Sequence, residues 1–266
     1  MTRSTVIVAP NPSVYTGPGT NTYLVGDASE LFCIDPGPDD ERHLTAILTA
    51  AERHGARIAS ILLTHSHPDH RPLAAALSAR TGASVRCFDV SAGSDGAQPL
   101  RDGEQVDVSG CSLVAVHTPG HAHDHLCFHD AAEAALYTGD HVLTGMTSFI
   151  DPDDGDMSLY MTSLQRVLSL RPRVVHPGHG PRDDDGEALI RQYIAHRLER
   201  EQQVVEALRD RGERSPMDIV AEIYAAYPPA LHPLAARTVQ AHLDKLVRDG
   251  RAARSTARDG PRYTLL

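Results

Sequence analysis

Apolar and polar residues follow one another along the first two thirds of the chain in short blocks that switch between strand and helix spacing. Segments 5–9, 22–25 and 31–35 read as antiparallel strands joined by turns rich in Pro, Gly and Asn. Leu44, Ile47 and Leu48 recur at helical spacing and predict a helix over 41–54. The apolar run 58–63 predicts a buried strand. Pro72 suits the first turn of a helix over 73–80, where its missing N–H has no intrahelical partner in any case. Strands follow at 84–88, 105–108, 112–117, 125–129 and 134–137, then a helix over 158–170 and a last strand at 173–176. Periodicity alone gives an α/β chain with a mixed sheet.

Beyond residue 185 the pattern changes. Ile190, Ile194, Leu198, Val205 and Leu208 form one apolar stripe of a long helix over 186–211. Ser215-Pro216-Met217-Asp218 carries an N-cap residue and an acidic third position, and starts a helix over 216–227 that Pro228-Pro229 stops. A further helix over 233–248 carries Val239, Leu243, Leu246 and Val247 and ends at Gly250. Two β-type stretches, 252–255 and 262–265, flank an Asp259-Gly260 turn. Helix, helix and hairpin predict a winged-helix module, so the chain divides into domains at 1–185 and 186–266, the second mostly helical.

Composition adds limits. The 266 residues are 41% hydrophobic, enough for a real core, yet contain no Trp and only 5% aromatics. Residues 1–185 hold 12 Arg against 24 Asp and Glu, a net of −12. Residues 186–266 hold 13 Lys and Arg against 11 acids, a net of +2, which together give −10. An acidic catalytic part attracts polyanions poorly, because phosphate neutralisation draws on clustered Lys and Arg. No apolar run approaches a membrane span and no leader pattern opens the chain, so neither a span nor a signal peptide is expected. Cys33, Cys87, Cys111 and Cys127 lie in or beside strand-like runs without CxxC spacing, and read as buried thiols of a reducing cytoplasm.

The candidate chemistry is concentrated after the strand at 58–63. Thr64-His65-Ser66-His67-Pro68-Asp69-His70 sets three imidazoles and a carboxylate at a strand's C-terminal end. Three later segments each place one more candidate ligand in a Gly-containing turn after an apolar run. They are His121 in Thr118-Pro119-Gly120-His121, Asp140 in Tyr137-Thr138-Gly139-Asp140, and His179 in His176-Pro177-Gly178-His179-Gly180. Zinc takes neutral imidazoles and carboxylates, and catalytic zinc keeps one position for water. Glycine permits the tight backbone that brings a ligand close. Five His and two Asp suffice for two ions, and such sites also accept iron or manganese.

These four motifs, in this order, resemble the metallo-β-lactamase superfamily. Gly19-Thr20-Asn21-Thr22-Tyr23, Asp124-His125, Pro177-Gly178-His179-Gly180-Pro181, Tyr193-Ile194-Ala195-His196-Arg197 and the trailing module make the chain most similar to the lactamase-β-2 (β-lactamase-like protein 2) branch, nearly end to end. The resemblance implies an αβ/βα four-layer sandwich followed by a winged-helix-like domain. It implies that His65, His67 and His121 hold one Zn2+ and Asp69, His70 and His179 a second, with Asp140 bridging and Asp69 also orienting the attacking hydroxide. True zinc β-lactamases generally lack a carboxylate at the place of Asp140, so antibiotic hydrolysis is not the activity the resemblance implies. Members of the branch include an endoribonuclease and polyketide-releasing thioesterases.

The expectation is therefore a cytoplasmic di-zinc hydrolase of a small ester or thioester. A metal-dependent endoribonuclease acting on single-stranded RNA is the alternative. A DNA-binding regulator fits poorly, since the helix carrying Arg237, His242, Lys245 and Arg248 also carries Asp244 and Asp249. A mononuclear-iron persulfide dioxygenase, with the same ligands, is a remote further reading. The C-terminal module is expected to shape a substrate pocket or a contact in a homo-oligomer. Arg71, where relatives carry a small residue, reads either as a binder of substrate carboxylate or phosphate or as a solvated helix-start residue. His141 reads as a packing residue before an acid–base one. His125 and His176 either orient ligand imidazoles or are satisfied buried histidines. The aspartate-rich loop 151–156 reads as solvated, and the acidic run 183–185 as a helix N-terminus.

Overall fold

The computed structural model describes residues 3–27, 29–91, 96–209, 211–258 and 260–266, and the chain forms two compact units. The first comprises residues 1–118, 124–148 and 166–190. One sheet contains β1 (Arg3–Val8), β2 (Asn21–Gly26), β3 (Glu30–Ile34), β4 (Arg57–Leu62), β5 (Ser84–Cys87) and the short, unexpected β6 (Gln98–Pro99), in that spatial order. Pairing is antiparallel from β1 to β3 and parallel from β3 to β6. A second sheet holds β7 (Gln105–Val108), β8 (Cys111–His117), β9 (Leu126–Asp130), β10 (Ala135–Gly139) and β11 (Val174–Pro177), ordered β11-β10-β9-β8-β7.

Both faces of the first sheet are covered, which is why its central strands are apolar throughout rather than alternating. Leu31, Cys33 and Ile61 pack with Leu44 and Ile47 of α1 (Glu41–His54) and Leu77 of α2 (Ala74–Thr81). Phe32, Ile34 and Leu62 face the other way, onto Leu113, Ala115, Leu126 and Phe128 of the second sheet. α1 is closed at both ends: the Asp40 side chain accepts from the N–H groups of Arg42 and His43, and Gly55 ends the helix at φ +68°. α2 starts one residue later than its sequence pattern suggests. The Arg71 and Leu73 amides bond His67 O and Gly37 O, so the chain is still turning there.

The second unit comprises residues 119–123, 149–165 and 191–266. It contains the start of α3 (Met157–Ser169), most of α4 (Gly186–Leu208), α5 (Pro216–Ile223), a 3-10 turn at Pro229–Leu231, α6 (His232–Arg248) and the hairpin β12 (Ala252–Ala257) to β13 (Gly260–Leu265). Asp259 of the expected turn lies outside the described residues. Val204, Leu208, Ile219, Val220, Leu243, Leu246 and Tyr263 form its core. Ser215 and Asp218 make the reciprocal capping box. α5 stops at Ile223, short of the expected 227, and His232 Nε2 lies 3.2 Å from the carbonyls of Tyr224 and Tyr227, meeting acceptors that a helix end leaves over.

The α4 stripe differs from the one the apolar pattern suggests. Leu198 is 54% exposed, and the buried face passes instead through Arg197 and Glu201. The Arg197 guanidinium lies 5.2 Å over the Tyr160 ring, and Glu201 pairs with Lys245 at 2.9 Å and Arg251 at 2.7 Å. The loop 151–156 is at the surface, with Asp153 exposed, and is also anchored: Asp151 and Asp153 pair with Arg237, and Asp156 with Arg248. Asp183 and Asp185 cap the approach to α4, as the acidic run suggests. No helix among the described residues is long and apolar enough to cross a membrane.

Phe128 is buried between the two sheets of the first unit. Phe128→Ala is expected to lower the unfolding free energy by about 3–5 kcal/mol, read as a shifted midpoint in urea. A loss below about 1 kcal/mol would mean that the two sheets do not share one core.

Candidate metal centre

β4 ends at Leu62, and the turn after it carries the ligand-rich motif. Asp35, just past β3, fixes that turn. It is 2% exposed and adopts φ +49°, a conformation that Asp tolerates better than most residues. Its Oδ1 accepts the Thr64 N–H at 2.7 Å. Its Oδ2 accepts the Thr64 hydroxyl at 2.6 Å and His70 Nδ1–H at 2.8 Å. An ionised carboxylate only accepts, so His70 carries its proton on Nδ1 and offers Nε2 to the site. The Thr64 hydroxyl, having given its proton to Asp35, receives one from His65 Nδ1 at 2.9 Å. One carboxylate therefore fixes the tautomer of two imidazoles. Sequence reading missed Asp35; the available signal was an acid in Asp35-Pro36-Gly37, directly after a strand.

The second half of the motif converges with two later loops. His70 Nε2 lies 3.4 Å from Asp69 Oδ2 and 3.3 Å from Asp140 Oδ1. His179 Nε2 lies 3.2 and 3.3 Å from the same two oxygens. Donors bonded at about 2.1 Å around a tetrahedral ion stand about 3.4 Å apart, so these four groups have the spacing of one coordination shell. One donor atom of each lies within 4.8 Å of the others. The set is nitrogen and oxygen without thiolate, which suits zinc, iron or manganese.

Backbone geometry makes this convergence possible. A Cβ at Gly178 would lie 2.4 Å from Asp140 Oδ1 and 2.9 Å from His70 Cε1. The His179 loop is tied to β2: the Asn21 amide donates to Gly178 O at 2.8 Å, and its side chain donates to Pro177 O and Gly180 O. His179 Nδ1 donates to Gly19 O at 3.2 Å and so presents Nε2. His125 accepts the Asp140 N–H on Nε2 at 3.2 Å and donates from Nδ1 to Thr118 Oγ1 at 2.9 Å. It holds the Asp140 backbone through hydrogen bonds, and its ring lies 5.1 Å from that of His65.

The remaining residues fall into place individually. The His67 ring lies 4.4 Å from that of His65, which is 4.3 Å from that of His70. His121 belongs to the second unit, where its Nδ1 donates to Phe149 O at 2.6 Å, which fixes the ring proton on Nδ1. His176 stacks on Tyr137 at 4.6 Å and meets Tyr23 edge-on, so its role is packing; burial, with Arg182 nearby, pushes it down to about 4. His141 is buried, its ring 5.9 Å from that of His125. Arg71 is 8% exposed, which removes the solvated reading. Its charge favours the Cys87 thiolate, although burial still raises that thiol.

Burial by itself would raise Asp69 and Asp140 and lower His70 and His179. Their mutual attraction prevails: both carboxyls are held below the usual carboxylate range, His70 is raised, and His179 is raised to about 9. The site thus concentrates negative charge against imidazoles that a cation can deprotonate.

Comparison with known proteins shows the family of the chain. The metallo-beta-lactamase superfamily pattern matches residues 15–179, and the beta-lactamase associated winged helix domain matches residues 215–260. Beta-lactamase-like protein 2 homologs of Caenorhabditis elegans and Drosophila melanogaster are each 32% identical. The alignments cover 92% of this chain and 84% of the worm protein, and 97% of this chain and 92% of the fly protein. An atrochrysone carboxyl ACP thioesterase of Aspergillus fumigatus is 33% identical over 77% of this chain, which spans 64% of that protein's length. Among solved structures, a metallo-beta-lactamase family protein from Thermus thermophilus superposes with a TM-score of 0.82 at 22% identity, over 99% of this chain and 98% of that one. A protein solved in a di-iron-bound form is 29% identical with a TM-score of 0.54, over 66% of this chain and 96% of its own.

Two outcomes follow from the protonation pattern and from Asp35. Metal uptake at pH 7 is expected to release about one proton or more per ion, and apparent affinity is expected to rise with pH until His179 passes its value of about 9. Calorimetry in buffers of different ionisation enthalpy counts those protons, and a count of zero contradicts the assignment. Asp35→Asn keeps a residue that tolerates positive φ and is expected to weaken metal binding about 10- to 100-fold. Unchanged affinity by chelator competition would remove Asp35 from the account.

Proposed function

The chain belongs to the metallo-β-lactamase superfamily, and on that premise we propose that this hydrolytic enzyme cleaves a small ester or thioester with the help of two zinc ions. The convergence of Asp69, His70, Asp140 and His179 carries the reading. We assign His65, His67 and His121 to one ion and Asp69, His70 and His179 to the other, with Asp140 shared between them. When bound, the ions acidify water towards neutrality and polarise the attacked carbonyl.

The protein's own groups do the rest. The Asp69 side chain is 27% exposed, against 12% for Asp140, while those of His70 and His179 are sealed, so Asp69 is the most accessible member of its group. Thr20 Oγ1 donates to Asp69 Oδ2 at 3.4 Å and helps to aim the carboxylate. From there Asp69, held ionised by its imidazole neighbours, would orient the attacking water through a hydrogen bond. A thiol of ordinary pKa near 8.5 departs as thiolate without a strong acid, whereas an alkoxide needs a proton. A thioester thus asks less of the site as a proton donor than an alkyl ester does, which favours the thioester.

Three observations support a small substrate over RNA. The first 185 residues carry a net charge of −12. On α6, Arg237, Lys245 and Arg248 are all paired with acids of their own unit. Relatives at about one-third identity include two named as thioesterases. The four buried thiols support a reducing cytoplasm as the location.

The test is metal analysis combined with turnover of a thioester and lactone panel, bis(p-nitrophenyl) phosphate and a labelled single-stranded RNA, each repeated with Asp69→Ala and His121→Ala. About two ions per chain, with thioester or ester turnover that falls by at least about 100-fold in either variant, is the expected result. RNA cleavage lost in the same variants, with little ester turnover, would replace this reading with a ribonuclease.

A further inference from the structure

A continuous chain of contacts within the second unit leads from α6, the helix that a winged-helix module would offer to a nucleic acid, to His121. Arg237 grips Asp151 with two nitrogens, Nη2 to Oδ1 at 2.5 Å and Nε to Oδ2 at 3.3 Å, and also pairs with Asp153. At the end of α6, Arg248 Nη1 pairs with Asp156 Oδ2 at 2.6 Å. The loop between these two anchors is closed on itself: Asp154 N–H and Gly155 N–H both donate to Asp151 O. Its far end is closed on α3, where Asp156 Oδ1 accepts the amides of Ser158 and Leu159.

This loop wraps the ligand segment. The Asp156 N–H donates to Gly120 O at 2.8 Å, and Asp154 Oδ1 meets His123 Nδ1 at 2.9 Å. A Cβ at Gly155 would lie 2.4 Å from Gly120 O and 2.9 Å from His121 O, so only glycine lets the loop close on the His121 backbone. Two residues before Asp151, the Phe149 carbonyl accepts His121 Nδ1–H at 2.6 Å and fixes both the ring orientation and the tautomer.

We propose that Arg237 and Arg248 are positioning residues for His121, and that the reading helix of this winged-helix module serves as a clamp on a metal-ligand loop. The proposal rests on the assignment of His121 as a ligand. An isolated surface ion pair contributes little to stability. A forked guanidinium–carboxylate pair at one end of a short loop, with a second pair at the other, restricts orientation, and orientation is what a ligand requires. The same pairing neutralises the cations that would otherwise face a phosphate backbone.

The experiment uses the full-length protein with cobalt as the probe. The Arg237→Ala, Arg248→Ala double variant is expected to release cobalt about 3- to 10-fold faster than the parent, less than the 10- to 100-fold typical of losing a direct ligand partner, and to shift the visible cobalt spectrum. Without cobalt, exchange of the Asp156 amide is expected to accelerate and the His121 Nδ1–H resonance to broaden. Arg237→Lys restores part of each effect. Arg254→Ala, which breaks the pair with Asp244 and leaves the loop alone, changes neither. Should the double variant misfold, Asp151→Asn read by the same spectrum and exchange decides the matter. Parent-like cobalt release and amide exchange overturn the clamp. A His121→Ala protein that keeps the full cobalt content and spectrum overturns the ligand assignment instead, and the proposal with it.

Discussion

A buried carboxylate needs acceptable partners for its lone pairs, and Asp35 finds them in the Thr64 amide, the Thr64 hydroxyl and the His70 imidazole. Everything else in the candidate centre depends on this arrangement. It ties the end of β3 to the turn after β4 and sets the proton of His70 directly and that of His65 through Thr64, so that each ring presents Nε2. Behind it, the Asp35 carbonyl accepts from Thr22, whose hydroxyl in turn meets buried His43. Burial holds His43 down to about 4, so it is a neutral hydrogen-bond partner at physiological pH.

The fold supplies the room that this chemistry requires. The register of β10 against β11 shifts between Tyr137 and Gly139, and this irregularity releases Asp140 from the ladder just where it must face His70 and His179. Gly139 adopts φ +46°, and a Cβ there would lie 2.6 Å from Thr64 Oγ1, so the loop carrying Asp140 can approach the Asp35–Thr64 network only with glycine. The candidate ligands thus arrive on short turns at strand ends, with packed strands behind them.

The parts of this account that were legible in the sequence are those encoded locally. The strands and α1 announce themselves through spacing and caps, and His65, His67, Asp69 and His70 stand within six residues of one another. Asp35, Thr64 and Asn21 carry no comparable signal, because their roles arise from partners 29 to 159 residues away. Buried charge misleads hydrophobic patterns in the same way. The stripe on α4 runs through Arg197 and Glu201 because a cation over Tyr160 and two paired cations satisfy them there, leaving Leu198 to solvent. The aspartate-rich loop 151–156 lies at the surface as its composition suggests, but its anchoring stays hidden while Arg237 and Arg248, about 80 to 100 residues later, are out of view.

Two carboxylates drawn towards two imidazoles, with their protons held by those imidazoles, form a set that a divalent ion completes. The central claim is that Asp69, His70, Asp140 and His179 surround one ion and that Asp140 also reaches a second. Anomalous diffraction at the zinc edge from crystals of the loaded protein tests it most directly. The account requires two peaks about 3.5–4 Å apart, with Asp140 bonded to both. A single peak, or a peak pair from which His70 and His179 are absent, would contradict it.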